Sequence, residues 1–382
     1  MRRARPLAAQ WRKWWRHHRP WVALGLLVAG ALAAVWVLLV VPWRNPNHPR
    51  LGPQRQVHTS IPILGVHTRL TDEVEQTKIQ RTLEMVRQMR AAWDVEYFPW
   101  NYVQRDGPNQ WDWAHTDLVI DHAQRQGLKV IARLDAVPQW ARPKDTADTY
   151  LDPGHYADYA RYVAAFVKRY RGKIAACIIW NEPNLAYEWG YRTPDPGAYS
   201  QLLKLSYRAA KLADPNVLVL AAPLAPTIEQ SPAALEDTVY LRRLYAAGAA
   251  PFFDGLAAHT YGWQNPPEQP AAVGVVNFQR VTLLRQVMVA NGDGAKQVYV
   301  TETGWNDFPR WIRAVSPTEQ VRYSVQAVQL AEHWPWLATL CFWEFRLPAV
   351  THTYNDNWSL VRSDFSPTPL YLALQKLATG TA

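Results

Sequence analysis

The chain has 382 residues, 48% of them hydrophobic, enough for one large domain with a sizeable core rather than a disordered or fibrous polymer. Its net charge of +9 invites a nucleic-acid reading, but residues 1–50 hold nine Lys/Arg and no Asp/Glu. The rest balances 32 basic against 32 acidic residues, which removes the motive for a nucleic-acid groove.

In chain order, the first element is a basic stretch, residues 1–20, with Arg2, Arg3, Arg5, Arg12, Lys13, Arg16 and Arg19. Residues 21–41 follow as an uncharged run of 21 residues. At about 1.5 Å per residue such a helix spans a hydrocarbon core of about 30 Å. The expectation is a transmembrane signal anchor with a cytoplasmic N-terminus and everything after Pro42 outside the cell. The competing reading is a cleaved signal peptide with a small-residue site at Ala31-Leu32-Ala33, although the apolar run continues beyond it. Residues 42–57, rich in Pro, Arg and Asn, read as a spacer. No second linker follows, so 58–382 reads as one domain, expected to be monomeric.

Within that domain eight short apolar runs alternate with amphipathic stretches. The candidate strands are 61–67, 95–100, 129–134, 174–180, 217–222, 253–259, 297–301 and 336–345. Several are unbroken Val/Ile/Leu/Ala runs, as parallel strands buried on both faces require. Tyr159, Val163, Phe166, Val167 and Tyr170 recur at helical spacing. Asp195-Pro196 predicts a capped helix start, and Ser316-Pro317-Thr318-Glu319 a capping box. The α/β alternation predicts a closed (β/α)8 barrel, and an open doubly wound sheet fits it nearly as well. The two cysteines, Cys177 and Cys341, form no metal-binding pattern, and no metal or cofactor is signalled.

Two strand ends carry the chemistry. Trp180-Asn181-Glu182-Pro183-Asn184 closes the fourth run, and Thr301-Glu302-Thr303-Gly304-Trp305 closes the seventh. In a parallel barrel all C-terminal strand ends meet at one face, so Glu182 and Glu302 can oppose each other across its mouth. Glycosidic cleavage needs such a pair, one carboxyl protonated for the leaving oxygen and one ionised for the anomeric carbon. His67, ending the first strand, is a further site candidate.

These motifs resemble those of the large clan of retaining (β/α)8 glycoside hydrolases. The closest likeness is to the β-xylosidase/α-L-iduronidase family, with the cellulase-like family next. The resemblance covers about 60–382. It implies Glu182 as acid/base and Glu302 as nucleophile. It further implies Asn181 as the amide for a sugar 2-hydroxyl, and Tyr261, in His259-Thr260-Tyr261, as a hydrogen-bond partner of the nucleophile. Trp343 would floor the subsite before the scissile bond. Trp100 at the end of strand two, Trp140 after strand three and Trp305 are further aromatic candidates for substrate contact. The sequence departs from the clan at strand two, where 95–102 holds no arginine; Arg133 on strand three is the nearest substitute. The expected function is retaining hydrolysis of an equatorial (β-type) bond in an extracellular oligo- or polysaccharide, with transglycosylation and non-catalytic carbohydrate binding as the other readings.

Overall fold

The computed structural model describes residues 51–380, together with Trp14 and Trp15. The chain divides into two compact units, Met1–Arg50 and Leu51–Ala382. Among the described residues no helix is long and apolar enough to cross a membrane. The expected anchor, 21–41, lies outside the described residues.

The second unit is a closed barrel of eight parallel strands in sequence order. They are β1 (Leu64–His67), β2 (Trp93–Pro99), β3 (Lys129–Asp135), β4 (Ile174–Ile179), β5 (Leu218–Ala221), β6 (Gly255–Tyr261), β7 (Gln297–Gly304) and β8 (Leu337–Phe342). Each is followed by a principal helix: α1 (Gln76–Gln88), α2 (Ala114–Gln126), α3 (Tyr156–Arg169), α4 (Pro196–Ala213), α5 (Asp237–Ala246), α6 (Val281–Ala290), α7 (Pro317–Ala331) and α8 (Pro369–Thr379). The closure excludes the open doubly wound sheet.

Local chemistry accounts for these elements. Asp195 accepts from the backbone N–H groups of Gly197 and Ala198, with Pro196 at the first position of α4. Ser316 and Glu319 form the expected capping box on α7. α3 buries Tyr159, Tyr162, Val163, Phe166 and Val167 against the barrel wall. The interior is filled by Val95, Ile131, Ala176, Ile178, Leu220, Ala257, Tyr299 and Cys341, a packed core rather than a pore. Gly65 lies so close to this filling that a Cβ there would stand 2.5 Å from the Cys341 sulfur.

The differences from the expected elements fall at strand ends. β6 and β7 run on to Tyr261 and Gly304 because they keep pairing with each other at the mouth. Between Ala258↔Val300 and His259↔Glu302 the register slips by one residue, so Thr301 is the extra residue on β7 and Glu302 comes to lie opposite His259. β8 ends earlier than expected, at Phe342, where the chain turns away through a cis Trp343–Glu344 peptide. The described part of the expected spacer is docked: Arg55 N–H donates to Arg125 O at 2.8 Å, and Val57 packs on the core.

Candidate active site

β4 ends at Ile179, and the next residues are held in conformations that side chains seldom adopt. Trp180 has φ 75° and Glu182 φ 36°. Each such residue costs of order 1–3 kcal/mol and persists only when its surroundings fix it. The motif supplies that fixing. Trp180 N–H donates to Leu134 O at 3.1 Å and Glu182 N–H to Pro223 O at 3.0 Å. The Trp180 indole donates to Glu188 O at 2.9 Å. Buried Asn184 donates to Ala225 O and Leu235 O and accepts from Ala225 N–H, pinning the β4 loop to the β5 loop. The motif is thus largely a scaffold that aims Glu182 over the barrel.

Glu182 and Glu302 come together. One oxygen of each lies within 4.8 Å of the other, with a His259 ring nitrogen inside the same distance. His259 stands between them, its Nδ1 2.7 Å from Glu182 Oε1 and its Nε2 3.5 Å from Glu302 Oε1. Burial pushes the histidine down to about 4, against the opposing pull of Glu302, so the ring is neutral near pH 7 and has a single N–H. One N–H serves only one carboxylate, which favours a pair that carries one proton.

Burial pushes Glu182 up to about 7, partly offset by Arg133. Glu302 is also raised, first by burial and then by Glu182, while His259, Arg133 and the Tyr261 hydrogen bond act to keep it ionised. Tyr261 donates its hydroxyl to Glu302 Oε2 at 2.6 Å, and Arg133 Nη1 stands 3.6 Å from Glu302 Oε1. The strand-three arginine therefore occupies the place beside Glu302 that no strand-two arginine fills. It is anchored by Asp135 at 2.9 Å and lies over the Tyr97 ring. His67 Nδ1 donates to Thr68 O at 2.8 Å, leaving Nε2, 3.7 Å from Glu302 Oε1, without a hydrogen-bond partner.

Glu182, His259 and Glu302 also form a donor set compact enough for a metal ion. The fixed guanidinium of Arg133 already lies against that set, and a second cation would meet its repulsion.

The pair opens into a cavity of about 450 Å³ lined by Arg133, Tyr187, Glu188, Tyr261, Trp263, Trp311, Trp343, Tyr354 and Trp358 among others. Trp343 lies in this wall, edge-on to the His67 ring at 4.7 Å. Asn181 is buried beside the pair, donating to Glu188, and its Oδ1 meets no donor.

Three expected sugar contacts are elsewhere. Trp100 is fully buried, stacked on Tyr162 and donating to Gln104 Oε1 at 2.6 Å. Trp140 packs edge-on against Trp100 and donates to Gln104 O at 2.7 Å. Trp305 is 1% exposed and donates to Asn265 O at 2.8 Å. All three are outside the cavity lining because their flat faces are spent on packing beneath the loops. Sequence reasoning missed Glu188, Tyr187, Trp263, Trp311, Tyr354 and Trp358. They sit on single 3-10 turns, Tyr187–Trp189 and Tyr354–Trp358, or on the loops beside them, without a motif, and the only hint was the count of twenty tryptophans.

No protein-family model matches the chain, and no curated protein does. Solved structures do match. A family 39 glycoside hydrolase from Bacteroides cellulosilyticus WH2 aligns with TM-score 0.66 at 21% identity, over 85% of this chain and 64% of that one. A GH39 β-xylosidase from Caulobacter crescentus gives TM-score 0.60 at 19% identity, over 86% of this chain and 73% of that one. GH5_18 from Streptomyces cattleya, in complex with GlcNAc, gives 0.62 at 13%, over 85% and 80%. This chain thus spans less than two thirds of the first of these proteins. At these identities, what it shares with glycoside hydrolases of families 39 and 5 is the eight-stranded parallel barrel.

Proposed function

We propose that the protein is a retaining glycoside hydrolase that cleaves an equatorial, β-type O-glycosidic bond in an oligo- or polysaccharide outside the cell. The observation that carries the reading is the pair of buried carboxyl groups at the barrel mouth, one oxygen of each within 4.8 Å of the other, with a neutral histidine between them. Retaining pairs stand about 5–5.5 Å apart, whereas inverting pairs need about 6.5–9.5 Å to admit a water.

Glu182, raised to about 7, holds a proton near neutral pH and gives it to the leaving oxygen. Glu302, kept anionic by Arg133, His259 and the Tyr261 hydroxyl, attacks the anomeric carbon and forms a glycosyl ester. Glu182, now a carboxylate, takes a proton from the incoming water, whose oxygen displaces Glu302 and restores the starting configuration. Trp343 offers an apolar face to the sugar ring. Asn181 Oδ1 and His67 Nε2 lack protein donors, but both are buried behind the lining of this cavity, so neither is assigned a sugar hydroxyl. We propose further that residues 21–41 anchor the chain in a membrane, with the barrel on the outer side.

Kinetics separate the roles. Glu302→Gln is expected to abolish turnover on every substrate. Glu182→Ala is expected to spare the first step on activated aryl glycosides, to fail on poor leaving groups, and to be rescued by azide. Equal loss on good and poor leaving groups without rescue would reject the assignment. Proton NMR of the first product should show the anomer of the substrate, and the opposite anomer would reject retention.

A further inference from the structure

Next to the cavity that holds Glu182 and Glu302, a second groove of about 590 Å³ opens between the loop after β5 and the loop after β6. The two spaces share Pro226, Thr227 and Trp263, so the indole of Trp263 is a wall common to both. On the other side of Glu302, the recess beside His67, Arg69 and Glu96 measures only about 120 Å³. Of these two neighbouring spaces the groove is much the larger.

The groove is built around a buried cation. Arg280, 1% exposed, is held by Asp237 at 2.7 Å. Its Nη1 donates to Val273 O and Val275 O, both at 2.9 Å, and its Nη2 to Thr227 O at 3.2 Å. One guanidinium thus ties the β5-loop wall to the β6-loop wall. The floor is fixed as well: Gly262 lies against the Trp305 ring so closely that a Cβ would stand 1.9 Å from it. Trp305 in turn donates to Asn265 O. This close packing holds Trp263 in the left-handed region, at φ 52°. A pre-shaped wall binds without first paying for its own ordering.

We infer that this groove binds the sugar units on the leaving-group side of the scissile bond, and that the natural substrate is an uncharged chain of several sugars rather than a small glycoside. The inference rests on the glycosidase reading above. Direction comes from Glu182, which would protonate the leaving oxygen. Its N–H is bonded to Pro223 O, at the start of the loop that carries Pro226 and Thr227. Trp343, His67 and Arg133 stand on the β8, β1 and β3 side. A leaving sugar bonded near Glu182 therefore continues past Trp263. Along the groove stand amide side chains, Gln264, Asn265 and Gln269, with a single cation, Arg313, and a single anion, Glu229. That lining suits sugar hydroxyls better than a polyanion. The Arg313 guanidinium lies over the Trp263 ring at 4.7 Å.

The test uses the full chain with β-1,4-linked xylo-, gluco- and manno-oligosaccharides of two to six units, labelled at the reducing end, beside the aryl β-glycosides of the same sugars. On the sugar it accepts, kcat/KM should rise about tenfold or more as the leaving group grows from one to three units, because remote binding energy is used in the transition state. Gly274 lines the groove, and a Cβ there would meet nothing within 4 Å, so Gly274→Trp starts in open space and is expected to obstruct the groove. That variant should cancel the gain with chain length, and Arg313→Ala should reduce it. A native enzyme whose kcat/KM is the same for all leaving-group lengths, or a gain that survives Gly274→Trp, would overturn the groove. Failure to turn over any glycoside in the panel, aryl glycosides included, would instead overturn the glycosidase reading beneath it.

Discussion

Arg133 stands where the titrating groups of the site meet, and its charge acts on them in one direction. It lowers the proton affinity of Glu182, Glu302, His259 and His67. The two carboxyl groups define a bell-shaped profile: activity requires Glu302 to have lost its proton and Glu182 to have kept one. Since Glu182 is pushed up to about 7, kcat/KM should fall as pH rises through that value. Arg133→Gln removes the cation, so both carboxyl groups bind protons more tightly and both limbs of the kcat/KM profile should move to higher pH. An unmoved profile in that variant would mean that the guanidinium does not act on the pair. The glutamates themselves were legible from two strand-end motifs. The role of Arg133 was harder to read because a closed barrel brings side chains from non-adjacent strands to one point, and spacing along the chain does not encode that. Trp305 shows the converse: it follows Glu302 by three residues, but β7 ends at Gly304 and the indole turns beneath the β6 loop.

At the scale of single elements, the start of the barrel holds a second carboxyl pair. The Thr68 hydroxyl lies 2.7 Å from Asp94 Oδ1 and 2.6 Å from Glu96 Oε2, and it has only one proton to donate. Glu96 also accepts from the backbone N–H groups of Leu70, Thr71 and Tyr97. Asp94 Oδ2 has no partner, so Asp94 is the acid that keeps its proton and donates to Thr68. Burial, with Glu96 beside it, pushes Asp94 up to about 8. Its affinity for a proton in the unfolded chain corresponds to about 3.9. The folded state therefore holds this proton more tightly, and stability should decline as pH rises from about 4 towards 8. Asp94→Asn keeps the shape, supplies a permanent donor and should make that decline shallower, read as the Tm difference between pH 5 and pH 8, while Glu96, Glu182, Glu188 and Glu344, raised as well, keep the rest of it. A slope as steep as in the native protein would place the buried proton elsewhere. The strands themselves were legible because apolar runs buried on both faces have no other stable home. Their ends were not, since the extension of β6 and β7 and the bulge at Thr301 arise from pairing between strands.

For the molecule as a whole, charge is distributed in two unlike parts. All of the excess lies in residues 1–50, and the barrel that follows is neutral overall. A barrel without net charge gains little by long-range attraction to anionic lipid, and the proposed anchor is the segment that precedes it. Seven basic residues before an uncharged run of 21 favour a helix that stays inserted with its basic end in the cytoplasm. The barrel's strands close on one another, and Arg55 and Val57 dock on its surface. Full-length protein should therefore sediment with membranes and resist carbonate extraction, with the barrel open to protease added outside the cell. A chain starting at Leu51 should stay in the supernatant, monodisperse without detergent, and retain full kcat on an aryl glycoside. A soluble species with its N-terminus near Ala34, recovered from cells expressing the whole chain, would show that the apolar run is a cleaved signal, leaving the chemistry of Glu182 and Glu302 untouched.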